Sequence, residues 1–166
     1  SDLHPSVMRT LSSPVKIAIA ILGTVAIGSL SGLATANSVT TWYVTLEKPF
    51  FNPPNWIFGP VWTLLYILMG YAAGRVWTST ANEGVKRGAL TAYVIQLLLN
   101  AAWSILFFAL HAPLVALVEM LLLWATVVWC MRWFIQVDAL AWKLLVPYIL
   151  WVSFAAVLNG AIVALN

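Results

Sequence analysis

The stretch KPFFNPPNWIFGPVW, residues 48–62, separates two long apolar runs of the chain. Pro49, Pro53 and Pro54 fix their own φ angles and keep the residues before them extended, so this connection cannot be helical. The adjacent pair of prolines also sets the start of the next helix, close to Asn55. A rigid loop between two long apolar segments is therefore the first structural prediction.

The composition identifies the solvent in which those segments lie. Of 166 residues, 63% are hydrophobic and 8% are charged, and the mean hydropathy is +0.94. Soluble domains usually carry about 25% charged residues, so the chain is predicted to be an integral membrane protein with a single domain, residues 1–166. Its net charge of +3 comes from few residues and is interpreted as a topology signal, so no nucleic-acid partner is expected. The one cysteine, Cys130, excludes a disulfide within the chain.

Five apolar runs are long enough to cross about 30 Å of hydrocarbon, which takes about 20 helical residues. Backbone polar groups in lipid must be paired within the segment, and none of the runs alternates like a barrel strand, so helices are predicted. The predicted fold class is therefore all-α, an integral membrane bundle of five transmembrane helices. The first run is expected to end at Asn37-Ser38. The five predicted spans are residues 15–36, 57–77, 89–110, 113–135 and 140–165.

The basic residues indicate how the bundle sits in the bilayer. Seven of them fall on one side of the predicted spans, and Lys48 alone falls on the other. This bias predicts a cytoplasmic N-terminus and places the proline-rich loop on the opposite face. No cleavable signal peptide is expected, because the first 13 residues are polar and the apolar run after them is too long. The seven basic residues are Arg9, Lys16, Arg75, Lys86, Arg87, Arg132 and Lys143.

Polar and aromatic residues within the spans mark the interior of the bundle. Intramembrane polar groups are costly and normally face other helices or a binding site. Counted at about 1.5 Å per residue, five such residues from four helices fall within roughly 7 to 15 Å of the loop face. They are expected directly beneath the proline-rich loop, although packing is a commoner role than ligand binding for any single tryptophan. These residues are Trp62, Asn100, Trp103, Glu119 and Asn159.

Two sequence features leave alternatives open. The loop is suited to act as a lid over a cavity mouth, and a plain turn with interfacial anchors explains it equally well. Small residues four positions apart, at Gly28 and Gly32 and at Gly70 and Gly74, permit close helix approach within one chain or between two copies. The predicted lid residues are Pro49, Phe50, Phe51, Pro53, Pro54 and Trp56.

At these positions the chain resembles the TspO/MBR family of tryptophan-rich sensory proteins and translocator proteins, also called peripheral benzodiazepine receptors. The resemblance rests on three blocks in order: KPFFNPPNWIFGPVWTLLYILMGYAAGRVW, QLLLNAAWSILFF and PYILWVSFAAVLN. It implies a five-helix bundle of the bacterial type, in a bacterial membrane and usually a homodimer. It also implies a pocket at one end, closed by the first long loop.

The resemblance further implies ligands that are large, flat and apolar, above all tetrapyrroles such as protoporphyrin IX and haem. They would be bound for sensing, sequestration or transport, and no further cofactor is required. The cholesterol motif of animal members is absent after Asn159, which argues against tight sterol binding. Glu119 is added from the physical argument as a second polar anchor. The residues that match the family's binding motifs are Tyr43, Trp62, Asn100, Trp103, Trp151 and Ala155.

Two other functions compete with ligand binding. A light-dependent porphyrin-degrading enzyme would use the oxidisable Trp62 and Trp151 as its catalytic residues, and it is the less favoured reading. A coupled secondary transporter is disfavoured because the chain shows no inverted repeat and no charged relay. His4 and His111 lie far apart in sequence, so neither a metal site nor a hydrolytic site is predicted.

Overall fold

The computed structural model describes residues 11–166, and the predicted basic residue Arg9 lies outside them. Five helices cross the described part of the chain, each long and apolar enough to span a membrane, and no strand occurs there. The prediction of an all-α integral membrane bundle is confirmed. The helices are α1 (Ser13–Thr41), α2 (Asn55–Trp77), α3 (Glu83–Ser104), α4 (Pro113–Phe134) and α5 (Ala139–Leu165).

Helix α1 does not end where the sequence analysis placed its end. It runs through Asn37-Ser38 to Thr41 and is followed by a short 3₁₀ turn over Tyr43–Thr45. The Thr41 hydroxyl donates to the Asn37 backbone carbonyl at 2.8 Å. This bond satisfies one backbone carbonyl in the polar last turn of the helix. Neither glycine nor proline interrupts the segment, and polarity alone does not stop a helix at the membrane surface.

Helix α3 also begins earlier than predicted, at Glu83 instead of residue 89. The Asn82 side chain caps it by accepting from the Gly84 N–H at 2.8 Å, which is a preferred way to begin a helix. Polar residues therefore extend α3 beyond the hydrocarbon. At its other end α3 continues as a π-helical turn over Ile105–Ala109, and the connection to α4 passes through His111, whose φ is 51°.

The five helices close into a ring. Helix α1 packs on α2 and α3, α2 packs on α5, and α4 packs between α3 and α5. The two connections of the ring at one end are the loop 42–54 and the turn 110–112, and we call this the loop end. The opposite, basic end holds the connections 78–82 and 135–138 and the start of α1.

Small residues bring α1 and α2 into close contact within the chain. A methyl group on Gly70 would lie 2.5 Å from the Cα of Ile21, and one on Gly74 would lie 2.8 Å from the Cα of Ile17. Gly70 and Gly74 therefore serve packing inside the monomer, whereas a methyl group on Gly32 would meet nothing within 4 Å. The homodimer stays a prediction.

An ion pair ties the basic end together. Arg75 near the end of α2 donates from Nε to the Asp138 carboxylate at 2.6 Å, and Asp138 also accepts from the Leu140 N–H at 3.0 Å, capping α5. Partial burial opposes ionisation of Asp138, but these hydrogen bonds and the adjacent guanidinium outweigh it, so the pKa of Asp138 is lowered. Asp138 is therefore ionised at neutral pH and holds the α4–α5 connection against α2.

Candidate functional site

An aromatic cavity lies at the loop end between α1, α2, α3 and α5. The space between its side chains, including the open space at its mouth, is about 640 Å³. Its surface is almost entirely apolar, with Tyr43, Asn55 and Asn159 among its few polar side chains. Besides Tyr43, seven aromatic residues dominate the lining: Phe58, Trp62, Trp103, Phe107, Phe108, Trp151 and Phe154.

Helical spacing explains how these rings converge. Phe58 and Trp62 are four residues apart on α2, as Trp103 and Phe107 are across the end of α3, so each pair shares one helix face. The rings of Trp62 and Trp151 meet edge to face with centroids 6.4 Å apart. Those of Phe58 and Trp151 meet in the same way at 6.0 Å. Such geometry is favourable for aromatic pairs and connects α2 to α5 across the cavity.

Trp103 and Asn159 form a polar link in one wall. The Trp103 indole Nε1 donates to the Asn159 Oδ1 at 3.0 Å, and Asn159 Nδ2 donates to the backbone carbonyl of Pro113 at 2.9 Å. Asn159 is almost fully buried, so these bonds fix its amide and, through it, the plane of the Trp103 ring. Helices α3, α4 and α5 are thereby joined through the Asn159 side chain.

Trp151 differs from Trp103 because its indole nitrogen is shielded from solvent and has no hydrogen-bond partner among residues 11–166. A buried N–H without an acceptor costs roughly 1–3 kcal/mol. Trp151 lines the cavity, and it is therefore the residue in this wall with an unused donor. An acceptor on a ligand is one group that would satisfy it.

Asn100 lies below the cavity and does not line it. Tyr66 Oη donates to Asn100 Oδ1 at 2.9 Å, and Asn100 Nδ2 donates to Tyr148 Oη at 2.8 Å. Tyr148 in turn donates to Gln96 Oε1 at 2.8 Å. These three hydrogen bonds, which we call the tyrosine–asparagine network, join α2, α3 and α5 in the core. Both hydrogen-bonding ends of the Asn100 amide are therefore occupied by protein groups.

Glu119 is likewise absent from the cavity lining. It lies on α4, and both of its carboxylate oxygens are shielded from solvent without a hydrogen-bond partner among the described residues. The structure thus brings together five of the seven residues predicted for the site and places Asn100 and Glu119 outside its walls. The five that line the cavity are Tyr43, Trp62, Trp103, Trp151 and Ala155.

The predicted lid contributes one of its aromatic side chains to the cavity region. Phe51 meets Phe154 edge to face at 6.2 Å, whereas Phe50 and Trp56 are 99% and 74% exposed. Exposure of these two rings at the membrane surface agrees with interfacial anchoring. The loop therefore has one aromatic ring that packs inward and two that face outward, and its role as a lid stays a prediction.

Polar bonds hold the loop over the cavity. Burial raises the pKa of the Tyr43 phenol, although its bond to Asn52 opposes the shift. The hydroxyl remains protonated and donates to Asn52 Oδ1 at 3.0 Å. At the other side the Asn166 amide pairs with the backbone of Glu47, accepting from its N–H at 3.1 Å and donating to its carbonyl at 2.9 Å.

One cation lies at the rim of the cavity. Lys48 Nζ is 4.7 Å from the centroid of the Tyr43 ring and donates to the backbone carbonyl of Leu46 at 3.0 Å. The other described basic residues lie towards the basic end. Among the described basic residues, Lys48 is therefore the one nearest to the aromatic cavity.

The sequence analysis missed the phenylalanine residues of the lining. Phe107 is almost fully buried, and its ring stacks on Trp103 with centroids 5.3 Å apart. The signal was present, since Phe107 follows Trp103 by four residues and Phe58 precedes Trp62 by four. The tryptophans alone therefore do not define the lining, which also includes the phenylalanines one helical turn away.

Comparison with known proteins finds similar sequences over most of the chain. The sequence pattern of the TspO/MBR family matches residues 20–165. A protein named tryptophan-rich protein TspO from Archaeoglobus fulgidus is 43% identical over 92% of this chain and 97% of its own length. A protein of the same name from Chlorobaculum tepidum is 42% identical over 85% of this chain and 89% of its own. The human translocator protein is 41% identical over 71% of this chain and 70% of its own.

Proposed function

Because this chain belongs to the TspO/MBR family of membrane proteins, we propose that it binds tetrapyrroles, such as protoporphyrin IX and haem, in the aromatic cavity. The observation that supports this most directly is the convergence of Trp62, Trp103 and Trp151 from three helices on one apolar space. Flat conjugated ligands gain free energy by stacking on such rings and by burying apolar area.

The polar groups of the cavity match the remaining features of a tetrapyrrole. Protoporphyrin IX carries two propionate carboxylates at one edge of an apolar ring system. Lys48 at the rim is the cation suited to pair with such a carboxylate, while the free Trp151 N–H is suited to an acceptor deeper inside. Ligand sites typically combine a mostly apolar wall with a few placed polar groups.

Binding of this kind serves sensing, sequestration or transport of the ligand. Relatives with these names include a tryptophan-rich sensory protein from Cereibacter sphaeroides and the human translocator protein. The cavity lies at the loop end beneath the loop 42–54, and the tyrosine–asparagine network lies below it. This arrangement suits a protein that takes up and releases its ligand on one side, and we place sensing or sequestration ahead of coupled transport.

A steric test examines the location of the site. Ala155 lines the cavity, whereas Val157 on the same helix is exposed to lipid. We expect Ala155→Phe to weaken protoporphyrin IX binding at least tenfold in a dark tryptophan-quenching titration, and the matched variant Val157→Phe to stay within twofold of the parent. Equal affinities for both variants would place the porphyrin elsewhere and refute the proposal.

A chemical test examines the carboxylate anchor. Lys48→Met should weaken binding of protoporphyrin IX by up to about fivefold, the ratio for one exposed charge pair of at most about 1 kcal/mol, and should leave binding of its dimethyl ester unaffected. Loss of affinity for both ligands would mean that Lys48 supports the loop and does not bind the propionate. Illumination of the porphyrin complexes tests the degradation alternative. That alternative requires the variants Trp62→Phe and Trp151→Phe to stop the loss of porphyrin absorbance.

A further inference from the structure

A second concave surface lies at the basic end, far from the aromatic cavity. It is formed where the start of α1, the end of α2 and the first three turns of α3 meet, and it encloses about 1,000 Å³ including its opening. We call it the basic-end groove. Its principal side chains are Lys16, Trp77, Lys86, Arg87, Leu90 and Val94.

The polarity of this groove changes along its length. Arg87, Thr91 and Ile95 follow one another at four-residue spacing on α3, so they lie on one helix face. From Arg87 to Ile95 the helix rises about 12 Å. The groove is therefore charged at its outer end, has one hydroxyl in the middle and is apolar where it enters the hydrocarbon region, because Val94 and Ile95 are exposed there.

The charges at the outer end are not neutralised within the described chain. Lys16 and Arg87 have no carboxylate within ion-pair distance among residues 11–166. Lys86 contacts Glu83 at 3.4 Å, but that carboxylate is exposed and the pair is weak. Three cations against one carboxylate leave an excess of two positive charges. Lys16 Nζ also lies 5.5 Å from the centroid of the Trp77 ring, which holds the ammonium beside the groove.

We propose that the basic-end groove binds one anionic phospholipid. Its phosphate would lie between Lys16 and Arg87, and one acyl chain would follow Leu90, Val94 and Ile95 into the bilayer. Basic pockets between transmembrane helices recognise anionic headgroups in this way. A free phosphate ion would use only the outer part of the groove, and an acidic peptide would not fill its apolar inner part, so a lipid accounts for both ends.

The first experiment compares two charge-matched variants in native mass spectrometry, titrating the full-length protein with phosphatidylglycerol. The groove variant is Lys16→Gln with Arg87→Gln. The control is Arg132→Gln with Lys143→Gln, which removes two exposed charges at the same end but outside the groove. The groove variant should bind about 30-fold more weakly, the ratio for roughly 1 kcal/mol per basic residue, and the control should change less than threefold. Equal losses in both would show general attraction to the bilayer and overturn the proposal.

The second experiment keeps the charges and blocks the apolar part. Thr91 is exposed in the groove, so Thr91→Trp should fold normally and weaken phosphatidylglycerol binding at least tenfold. Soluble glycerophosphoglycerol at millimolar concentration should fail to displace the lipid, because it has no acyl chain. Displacement by the soluble headgroup, or unchanged lipid binding in Thr91→Trp, would reduce the groove to a simple anion site. Porphyrin binding at the loop end should be unchanged in every variant.

Discussion

The assignment of Asn100 to the core and not to the ligand leads to a quantitative prediction for Asn100→Leu. The substitution keeps the branched shape of the side chain, although leucine is larger, and removes both hydrogen-bonding groups of the amide. Tyr66 then loses its acceptor and becomes a buried hydroxyl without a partner, while Tyr148 keeps its bond to Gln96. Asn100 is almost fully buried, so water does not replace the lost bonds.

The expected loss of stability is about 2 kcal/mol. An orphaned buried hydroxyl costs roughly 1–3 kcal/mol, and a hydrogen bond between membrane helices contributes about 0.6 kcal/mol on average. The loss should be recoverable, because replacing both partners by apolar groups can be nearly neutral. Adding Tyr66→Phe to Asn100→Leu should therefore restore about 1 kcal/mol of the free energy of unfolding.

The assay is equilibrium unfolding in mixed micelles with added denaturing detergent, followed by circular dichroism, together with porphyrin titration of each variant. We expect lower stability and protoporphyrin affinity within threefold of the parent protein. Unchanged stability combined with a tenfold loss of affinity would show that Asn100 binds the ligand directly. A double variant less stable than Asn100→Leu alone would show that the Tyr66 hydroxyl has another role.

Three further predictions concern the loop, the helix contact and the ion pair. Replacing Pro53 and Pro54 with alanine should speed porphyrin dissociation in stopped-flow measurements, because the lid becomes less ordered. The melting temperature should not fall. A lower melting temperature with a normal dissociation rate would show that the loop only connects α1 and α2. Gly70→Ala should destabilise the bundle by about 1–3 kcal/mol through overpacking against α1, while Gly32→Ala should be nearly neutral in the same melts. The folded pKa of Asp138 is lowered, so at neutral pH its ionised side chain should add about 1 kcal/mol or less to the free energy of unfolding. This contribution should disappear as pH falls from about 5 towards 3. Asp138→Asn keeps the cap and should remove this part of the pH dependence of the melting temperature.

The fold was predictable because hydrocarbon thickness and backbone pairing leave few choices for a chain this apolar. Proline pairs and short connections then set most of the boundaries, as at Asn55 and Pro113. The errors occurred where helices leave the hydrocarbon. Hydropathy marks where lipid ends, but α1 continues to Thr41 and α3 begins at Glu83, because polar residues and a capping asparagine sustain a helix in water as well.

Residue counting indicates the depth of a side chain but not its direction. Asn100 and Trp103 are three residues apart on one helix, so their depths differ by only about 4.5 Å. Three residues on a helix differ by roughly 60° in direction, however. That difference turns Trp103 towards the cavity and Asn100 towards Tyr66 and Tyr148. The closure of the five-helix ring determines which neighbouring helix each face contacts. Residue spacing within a single helix does not contain this information.

The floor and the roof of the cavity are built differently, and this difference indicates how a ligand enters. Trp62 stacks on Tyr66 with centroids 5.5 Å apart, so the floor rests on buried hydrogen bonds that would all have to break together. The roof is held by the partly buried Tyr43–Asn52 bond, in which Tyr43 is the buried partner, and by the exposed pairing of Glu47 with Asn166. Segments with few buried contacts and exposed hydrogen bonds open at the lowest free energy. Ligand exchange should therefore be limited by the roof, which is the segment that the prolines stiffen.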